Sequence, residues 1–498
     1  MLIATFSGLR WTHDSEAPAR IRRYTRAYAQ ALPSLLTEVG RDSERPHVYV
    51  GFDGRETGST YPRILLASLL AAGIDVTYVG IVPTPTVQQL VMLKQASGGV
   101  IITASHNPPE WCGLKFVGPR SIFLTPEECA EVYSGADQLK DFDVSEPLEE
   151  RVQEALDSTV GEVKYDSATL HVIPATTAID EHINHVLSLK AFVDVEKIRA
   201  AKFSIAFSGC NAAGANYISQ LCDSLGIKLA IPFGLEIGKL PKAPEPIPTN
   251  LVSFSEAILE GTKESPIDVA FAVDPDADRL VILDEKGIPI GEDLTLALCI
   301  DHVLGRCADK PEVVTNVSTS LAVSEACQKH SDMNAHLNYA AVGEVNVALK
   351  ILELGDKCAI GGEGNGGVML VDAHVGRDSI VAIVLVLSWL AERRGTTPTS
   401  ILVREAFQTR HIEKAKFTFA EEEKAKLEEK LLGLAHPTED FSDISTVDGV
   451  KFLSEKRGEW VHVRFSNTEP IIRIIAESGS VARSTELIQT YGAELELA

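Results

Sequence analysis

Long apolar runs are missing from this 498-residue sequence. The longest, SIVAIVLVLSWLA at 379–391, has thirteen residues, and a membrane-spanning helix needs about 20. It reads as a buried helix, and no membrane partner is expected. Paired cysteines are missing too. Cys112, Cys129, Cys210, Cys222, Cys299, Cys307, Cys327 and Cys358 form no CxxC pair, so they read as scattered thiols in a reducing compartment. Basic charge is scarce: 46 Lys and Arg stand against 70 Asp and Glu, a net charge of −24. A nucleic-acid partner needs a basic face to neutralise phosphates and is not expected here. An anionic ligand would need a local basic pocket set against the global field. The N-terminus, MLIATFSGLRW, shows no basic segment leading into an apolar core, so no signal peptide is expected and the expected location is the cytoplasm.

What is present is an ordinary globular composition, 45% hydrophobic and 23% charged. A chain of this length suggests about three to five domains. Short β-rich runs alternate with amphipathic segments: HVYVGFDGR (47–55), PRILLASLLAAG (62–73), IDVTYVG (74–80) and GGVIIT (98–103). The rhythm returns at 203–226, 267–284, 312–320 and 358–367. It predicts three similar α/β units with mostly parallel sheets. After residue 400 a charged helix and three strands are segregated, which predicts a smaller α+β domain. The proline-rich stretch at 240–250 and the charged or polar stretches near 140–166 and 393–400 place the expected divisions at 1–160, 161–265, 266–394 and 395–498.

Four loops can carry chemistry. TASHNPPEWCGLKF (103–116) puts Ser105 and His106 at a strand end and Lys115 ten residues after the serine. A serine at the mouth of a parallel sheet faces a crevice where ligands bind, and its hydroxyl can accept or donate a phosphoryl group. DPDADRL (274–280) alternates Asp274, Asp276 and Asp278, hard oxygen ligands that suit Mg2+. A calcium EF-hand reading fails, because position 6 of that loop would be Arg279 rather than glycine and its flanks read as strands. In GGEGNGG (361–367), Glu363 and Asn365 can accept from and donate to neighbouring hydroxyls of a polyol. In RFSNTEPIIR (464–473), Arg464, Ser466, Asn467, Thr468 and Arg473 suit a phosphate. A reactive serine, a magnesium site, a polyol reader and a phosphate clamp together describe phosphoryl transfer on a phosphorylated sugar.

These motifs, with FSGLR near the start contributing Arg10, run in the order seen in one family. The chain resembles the α-D-phosphohexomutases: phosphoglucomutases, phosphomannomutases and phosphoglucosamine mutases. The GEGNGG version is most similar to archaeal and Bacteroidetes-type phosphoglucosamine or phosphomannose mutases. The resemblance implies three related α/β domains and a smaller C-terminal domain around a central cleft. It implies a phosphorylated Ser105, Mg2+ held by Asp274, Asp276, Asp278 and the phosphoserine, and a sugar 1,6-bisphosphate that serves as intermediate and activator. Arg10, Lys115, His106 and Arg279 would serve the transfer, with Lys115 as general base only if its neighbours lower its pKa. Glu363, Asn365 and the 464–473 residues would hold the sugar phosphate. The expected assembly is a monomer or homodimer. Four departures stand out. Pro275 and Trp11 replace common glycines, and Gly367 and Glu344 stand where some members carry histidine.

Overall fold

The computed structural model describes residues 2–5, 8–139, 144–308, 311–393, 395–466 and 470–497. Its strands form four sheets. The first sheet holds β1 (Leu2–Thr5), β2 (Gly8–Thr12), β3 (His47–Phe52), β4 (Asp75–Ile81), β5 (Gly98–Ile102), β6 (Trp111–Val117), β7 (Gly161–Tyr165) and β8 (Ala168–Val172), in the order β1-β2-β6-β5-β3-β4-β8-β7. The second holds β9 (Ser204–Ser208), β10 (Lys228–Phe233), β11 (Val269–Val273) and β12 (Leu280–Leu283), in the order β10-β9-β11-β12. The third holds β13 (Glu312–Asn316), β14 (His336–Ala340), β15 (Cys358–Glu363) and β16 (Gly367–Leu370), in the order β14-β13-β15-β16.

One unit is repeated three times. In each, the first strand pairs in parallel with its two neighbours, and the third strand turns back into an antiparallel fourth. The repeat is β4-β3-β5-β6, then β10-β9-β11-β12, then β14-β13-β15-β16. The central strands are apolar on both faces, as a sheet covered by helices requires; VAFAV in β11 is buried throughout. The serine, metal and sugar loops all occupy the same place, the turn between the third and fourth strands at the carboxyl end of the sheet.

The helix Ser379–Arg393 is buried along most of its length, as its run of apolar residues predicts. Residues of all three units share one continuous hydrophobic core, which joins them more tightly than linkers would. Among the described residues no helix is long and apolar enough to cross a membrane.

The fourth sheet, β17 (His411–Thr418), β18 (Asp443–Ser445), β19 (Val450–Ser454), β20 (Glu459–Phe465) and β21 (Ile471–Ser478), is antiparallel in the order β17-β21-β20-β19-β18. With the helices Lys424–Leu434 and Val481–Glu494 it makes the expected α+β domain.

Strand pairing moves all three expected divisions. The hairpin β7–β8 pairs with β4, so the first sheet runs past residue 160 to Val172. β11 and β12 belong to the second sheet, which puts the aspartate loop in the second unit rather than the third. Leu402, Val403 and Phe407 lie in the core shared by the α/β units, so the fourth unit starts after the helix Thr399–Ala406 rather than at 395. Charged and proline-rich stretches mark solvent-facing chain; they do not report which strands pair.

Candidate active site

Ser105 follows β5 and takes a left-handed backbone conformation, φ +50°, which is costly for a residue with a β-carbon. Its surroundings hold it there. Ser105 N donates to Thr103 Oγ1 at 2.8 Å, and the buried Arg55 guanidinium donates to the Ser105 carbonyl at 2.7 Å. Arg55 is itself fixed by Asp53 at 2.8 Å. Neither residue stands out in the sequence, because FDGR reads as an ordinary strand end. The serine hydroxyl is thereby aimed at the second unit: Oγ lies 3.5 Å from Asp274 Oδ2 and 3.3 Å from His106 Nδ1.

Asp274, Asp276 and Asp278 are fully buried and bring ligand atoms within 4.8 Å of one another. Lys115 donates to Asp276 Oδ2 at 2.7 Å and to Asp278 Oδ2 at 3.1 Å. The other oxygens, Asp276 Oδ1 and Asp278 Oδ1, have no hydrogen-bond partner among the described residues. Buried carboxylate oxygens without partners are costly, and a divalent cation with oxygen preference satisfies them. Burial and the two neighbouring carboxylates push the Asp274 pKa well above the ordinary range. Burial also works against the Asp278 carboxylate, but Arg377, Lys115 and Arg279 outweigh it and hold its pKa low. The donor set therefore fits Mg2+.

The cations of the sequence reading converge here. Arg279 donates to His106 Nδ1 at 3.1 Å and pairs with Glu245 at 3.1 Å. Arg10 donates to Asn107 Oδ1 at 2.8 Å; burial lowers its pKa to about 10, so it stays charged at neutral pH. Arg279, burial and Arg10 depress the His106 pKa strongly, so the imidazole is neutral beside Arg279, from which its Nδ1 accepts. Burial disfavours the Lys115 ammonium, yet Asp276, Asp278 and Glu344 raise its pKa above the ordinary value. With the aspartates free of metal, the condition for Lys115 as general base is not met.

The sugar loop docks against the same place: Leu280 N donates to Gly366 O at 2.9 Å. Gly366 has φ +85°, and a β-carbon there would lie 2.3 Å from the Leu280 carbonyl oxygen. Glu363 is buried and saturated. It accepts from Asn316 Nδ2 at 2.9 Å, Gly343 N at 3.0 Å and Arg377 NH1 at 2.8 Å. Asn365 Oδ1 accepts from Gly367 N at 3.3 Å.

Arg377 is another residue the sequence reading missed. It bridges Asp278 at 2.6 Å, Glu363 at 2.8 Å and Glu344 at 3.1 Å. A β-carbon on Gly367 would lie 2.2 Å from Arg377 Cδ. An arginine side chain thus fills the space that a larger residue at 367 would need. The one sequence signal was an Arg-Asp pair directly before an apolar helix.

In the fourth unit Arg464 pairs with Asp448 at 3.1 Å, and Asp448 accepts from Val342 N at 3.1 Å. That places Arg464 beside the Gly343 segment that holds Glu363. Arg473 stands directly opposite Arg464 on one side and Lys416 on the other. Like charges facing across strands repel, so this row suits an anion, and Lys416 adds to the residues expected there. Ser466 N donates to Ile471 O at 2.9 Å. Asn467 and Thr468 lie outside the described residues.

Comparison with known proteins agrees with this constellation. Residues 6–142, 180–287 and 292–409 match α/β/α domains I, II and III of phosphoglucomutase/phosphomannomutase, and 415–490 match the C-terminal domain. The chain belongs to the phosphoglucomutase/phosphomannomutase family. It is a phosphohexomutase, an intramolecular phosphotransferase. A phosphoglucomutase/phosphomannomutase of Thermococcus kodakarensis is 32% identical over 92% of this chain and 91% of its own length. A phosphoglucosamine/phosphogalactosamine mutase of Sulfurisphaera tokodaii is 28% identical over 89% and 90%. The crystal structure of a phosphoglucomutase/phosphomannomutase family protein from Burkholderia thailandensis superposes with a TM-score of 0.74 at 20% identity, covering 100% of this chain and 98% of that one.

Proposed function

We propose that the enzyme interconverts a hexose 6-phosphate and the hexose 1-phosphate through a phosphorylated Ser105, with glucosamine phosphate as the favoured substrate. The observation that carries this reading is the approach of Ser105 Oγ to Asp274 at 3.5 Å, beside an aspartate triad with bare oxygens. Asp274, Asp276 and Asp278 hold Mg2+, which supplies positive charge against the phosphoryl group in flight. The Ser105 phosphoryl passes to the free hydroxyl of a sugar monophosphate. The bisphosphorylated sugar then turns over and returns its other phosphate to Ser105. Phosphoryl transfer asks mainly for alignment and charge neutralisation, and Arg10, Lys115 and Arg279 are placed to neutralise. Arg464, Ser466, Asn467, Thr468, Arg473 and Lys416 hold the phosphate that is not reacting. Asn365 reads hydroxyls that both poses share, and Glu363, engaged by Asn316, Gly343 and Arg377, holds the frame of that loop.

The choice of glucosamine rests on the GEGNGG loop and on relatives named for that activity. All eight cysteines are unpaired, which fits a cytoplasmic location. The test is turnover of glucosamine 6-phosphate, mannose 1-phosphate and glucose 1-phosphate side by side, with Mg2+ and a trace of glucose 1,6-bisphosphate as activator. Conversion of all three, fastest for glucosamine, is expected. No conversion by protein whose intact mass shows Ser105 phosphorylated would overturn the mutase reading of these substrates.

A further inference from the structure

Behind the aspartate loop lies a second buried cluster that the transfer does not use: His182, His374 and Asp378, all within 1% of full burial. His182 Nε2 and His374 Nε2 both donate to Asp378 Oδ2, at 2.7 and 3.0 Å. Asp378 Oδ1 accepts from Ile380 N at 2.8 Å and Val381 N at 3.2 Å, capping the helix Ser379–Arg393. Every lone pair of this carboxylate is thus engaged, and two imidazole N–H groups account for the side that faces the histidines.

The neighbours of Asp378 both grip the aspartate loop. Arg377 donates to Asp278 Oδ2 at 2.6 Å. Ser379 Oγ donates to the carbonyl of Ala277 at 2.7 Å, and Tyr217 OH braces Ser379 at 3.0 Å. Ala277 has φ +51°, a conformation an alanine keeps only when its surroundings impose it. The loop is gripped from the first unit as well. Thr84 at the start of the helix Thr84–Leu93 donates N–H to Asp276 O at 2.9 Å and Oγ1 to Asp276 Oδ2 at 2.8 Å. Two residues on in that helix, Thr86 Oγ1 pairs with His182 Nδ1 at 2.9 Å. The contacts therefore close a ring: Asp276 to Thr84, along the helix to Thr86, across to His182, to Asp378, and through Arg377 and Ser379 back to Asp278 and Ala277. The ring crosses all three α/β units.

We propose that His182, Asp378 and His374 are positioning residues: they anchor the 377–379 clip that holds the aspartate loop in cation-binding form. Asp378 is charged, buried and bonded on four sides, so its neighbours have one placement available to them. Loosening the anchor lets Arg377 and Ser379 drift, and the loop relaxes away from the left-handed turn at Ala277. Metal affinity falls before sugar affinity does, because the clip touches the aspartate loop directly and the phosphate clamp not at all, and its one contact to the sugar loop is with Glu363, which Asn316 and Gly343 also hold. This inference rests on the aspartate triad as the cation site.

The test measures Mn2+ binding to the full chain by electron paramagnetic resonance, independent of turnover. His182→Leu removes the donor to Asp378 at similar volume. His182→Gln keeps an N–H within reach of Asp378. The leucine variant is expected to weaken Mn2+ about tenfold, the low end of what the loss of a residue behind a metal ligand costs, with the KM for sugar phosphate changed less than twofold. The glutamine variant is expected to stay within twofold of wild type on both. His374→Leu repeats the measurement should His182→Leu not fold, as judged by its unfolding transition. A folded leucine variant with wild-type Mn2+ affinity, or glutamine and leucine variants that fail alike, would overturn the anchor. So would one tightly held transition metal per chain that is lost in His182→Leu, since the cluster would then be a metal site. Wild-type protein that binds no Mn2+ would sink the triad assignment and the anchor together.

Discussion

The loops β11–β12 and β15–β16 occupy the same place in two copies of one unit, and both bury carboxylates, yet they leave them in opposite states. Glu363 in the sugar loop has both oxygens engaged by Asn316, Gly343 and Arg377. Asp276 and Asp278 in the metal loop each keep one buried oxygen without a hydrogen bond among the described residues. A saturated carboxylate is a fixed post that orients its neighbours. A bare one, held in place by Lys115 and Arg377 on its other oxygen, is ready to bind. The chemistry thus divides between the copies: one presents ligands, and the other holds the frame that presents them.

Breaking the ready carboxylate should have the largest effect. Asp276→Asn removes charge at a bare oxygen, and turnover is expected to fall at least roughly a hundredfold together with Mg2+ affinity; normal activity without added metal would contradict the assignment. Breaking the saturated one should act differently. Glu363→Gln leaves Arg377 short of a counter-charge in a buried site, and kcat/KM is expected to fall about ten- to a hundredfold while the Mg2+ requirement shifts only slightly. Equal loss of metal affinity in both variants would erase the distinction.

Gly367→Ala sharpens the comparison from the side of the shared arginine. The added carbon collides with Arg377, and a displacement of its guanidinium is expected to cost about tenfold in kcat, with the KM for sugar phosphate nearly kept. A variant with wild-type kcat would show that Arg377 has room to move.

The smallest effect is a gain in stability away from the site. Lys451 is buried in the fourth sheet with no hydrogen bond to its ammonium among the described residues, held over the Trp460 ring at 4.4 Å and the Tyr339 ring at 5.2 Å. Burial lowers its pKa from 10.5 to about 8 against the pull of Glu477 and Asp293. Between those values the unfolded chain holds more protons than the folded one, so stability rises with pH across that window. Lys451→Met should raise Tm by roughly 2–4 °C at pH 7, and its advantage should shrink from pH 8 to 10.5. A pH-independent difference would contradict this origin.

The chemistry of the site was more legible in the sequence than its scaffold. SHNP and DPDADR announce themselves because reactive and charged residues cluster at strand ends, and the structure brings Ser105, Lys115, Arg10, His106 and Arg279 into one site with the aspartates. Their protonation was not legible, since it depends on neighbours distant in sequence: Asp276 raises the pKa of Lys115, and Arg279 lowers that of His106. Arg377 and Thr84 were missed for the same reason. Each is an ordinary residue until the fold carries it to Asp278 or Asp276. The three α/β units were read correctly from strand-and-helix rhythm, but β7–β8 and β11–β12 were assigned to the wrong neighbours because composition marks exposure, not pairing.

The central claim is that Ser105 passes its phosphoryl group to a sugar and takes another back. Enzyme carrying radiolabelled phosphate on Ser105 should be mixed with Mg2+ and unlabelled glucosamine 6-phosphate, and the products separated. The account predicts label in the sugar bisphosphate and then in both monophosphates, with the serine left phosphorylated. Label released as inorganic phosphate would make the protein a phosphatase and contradict the account.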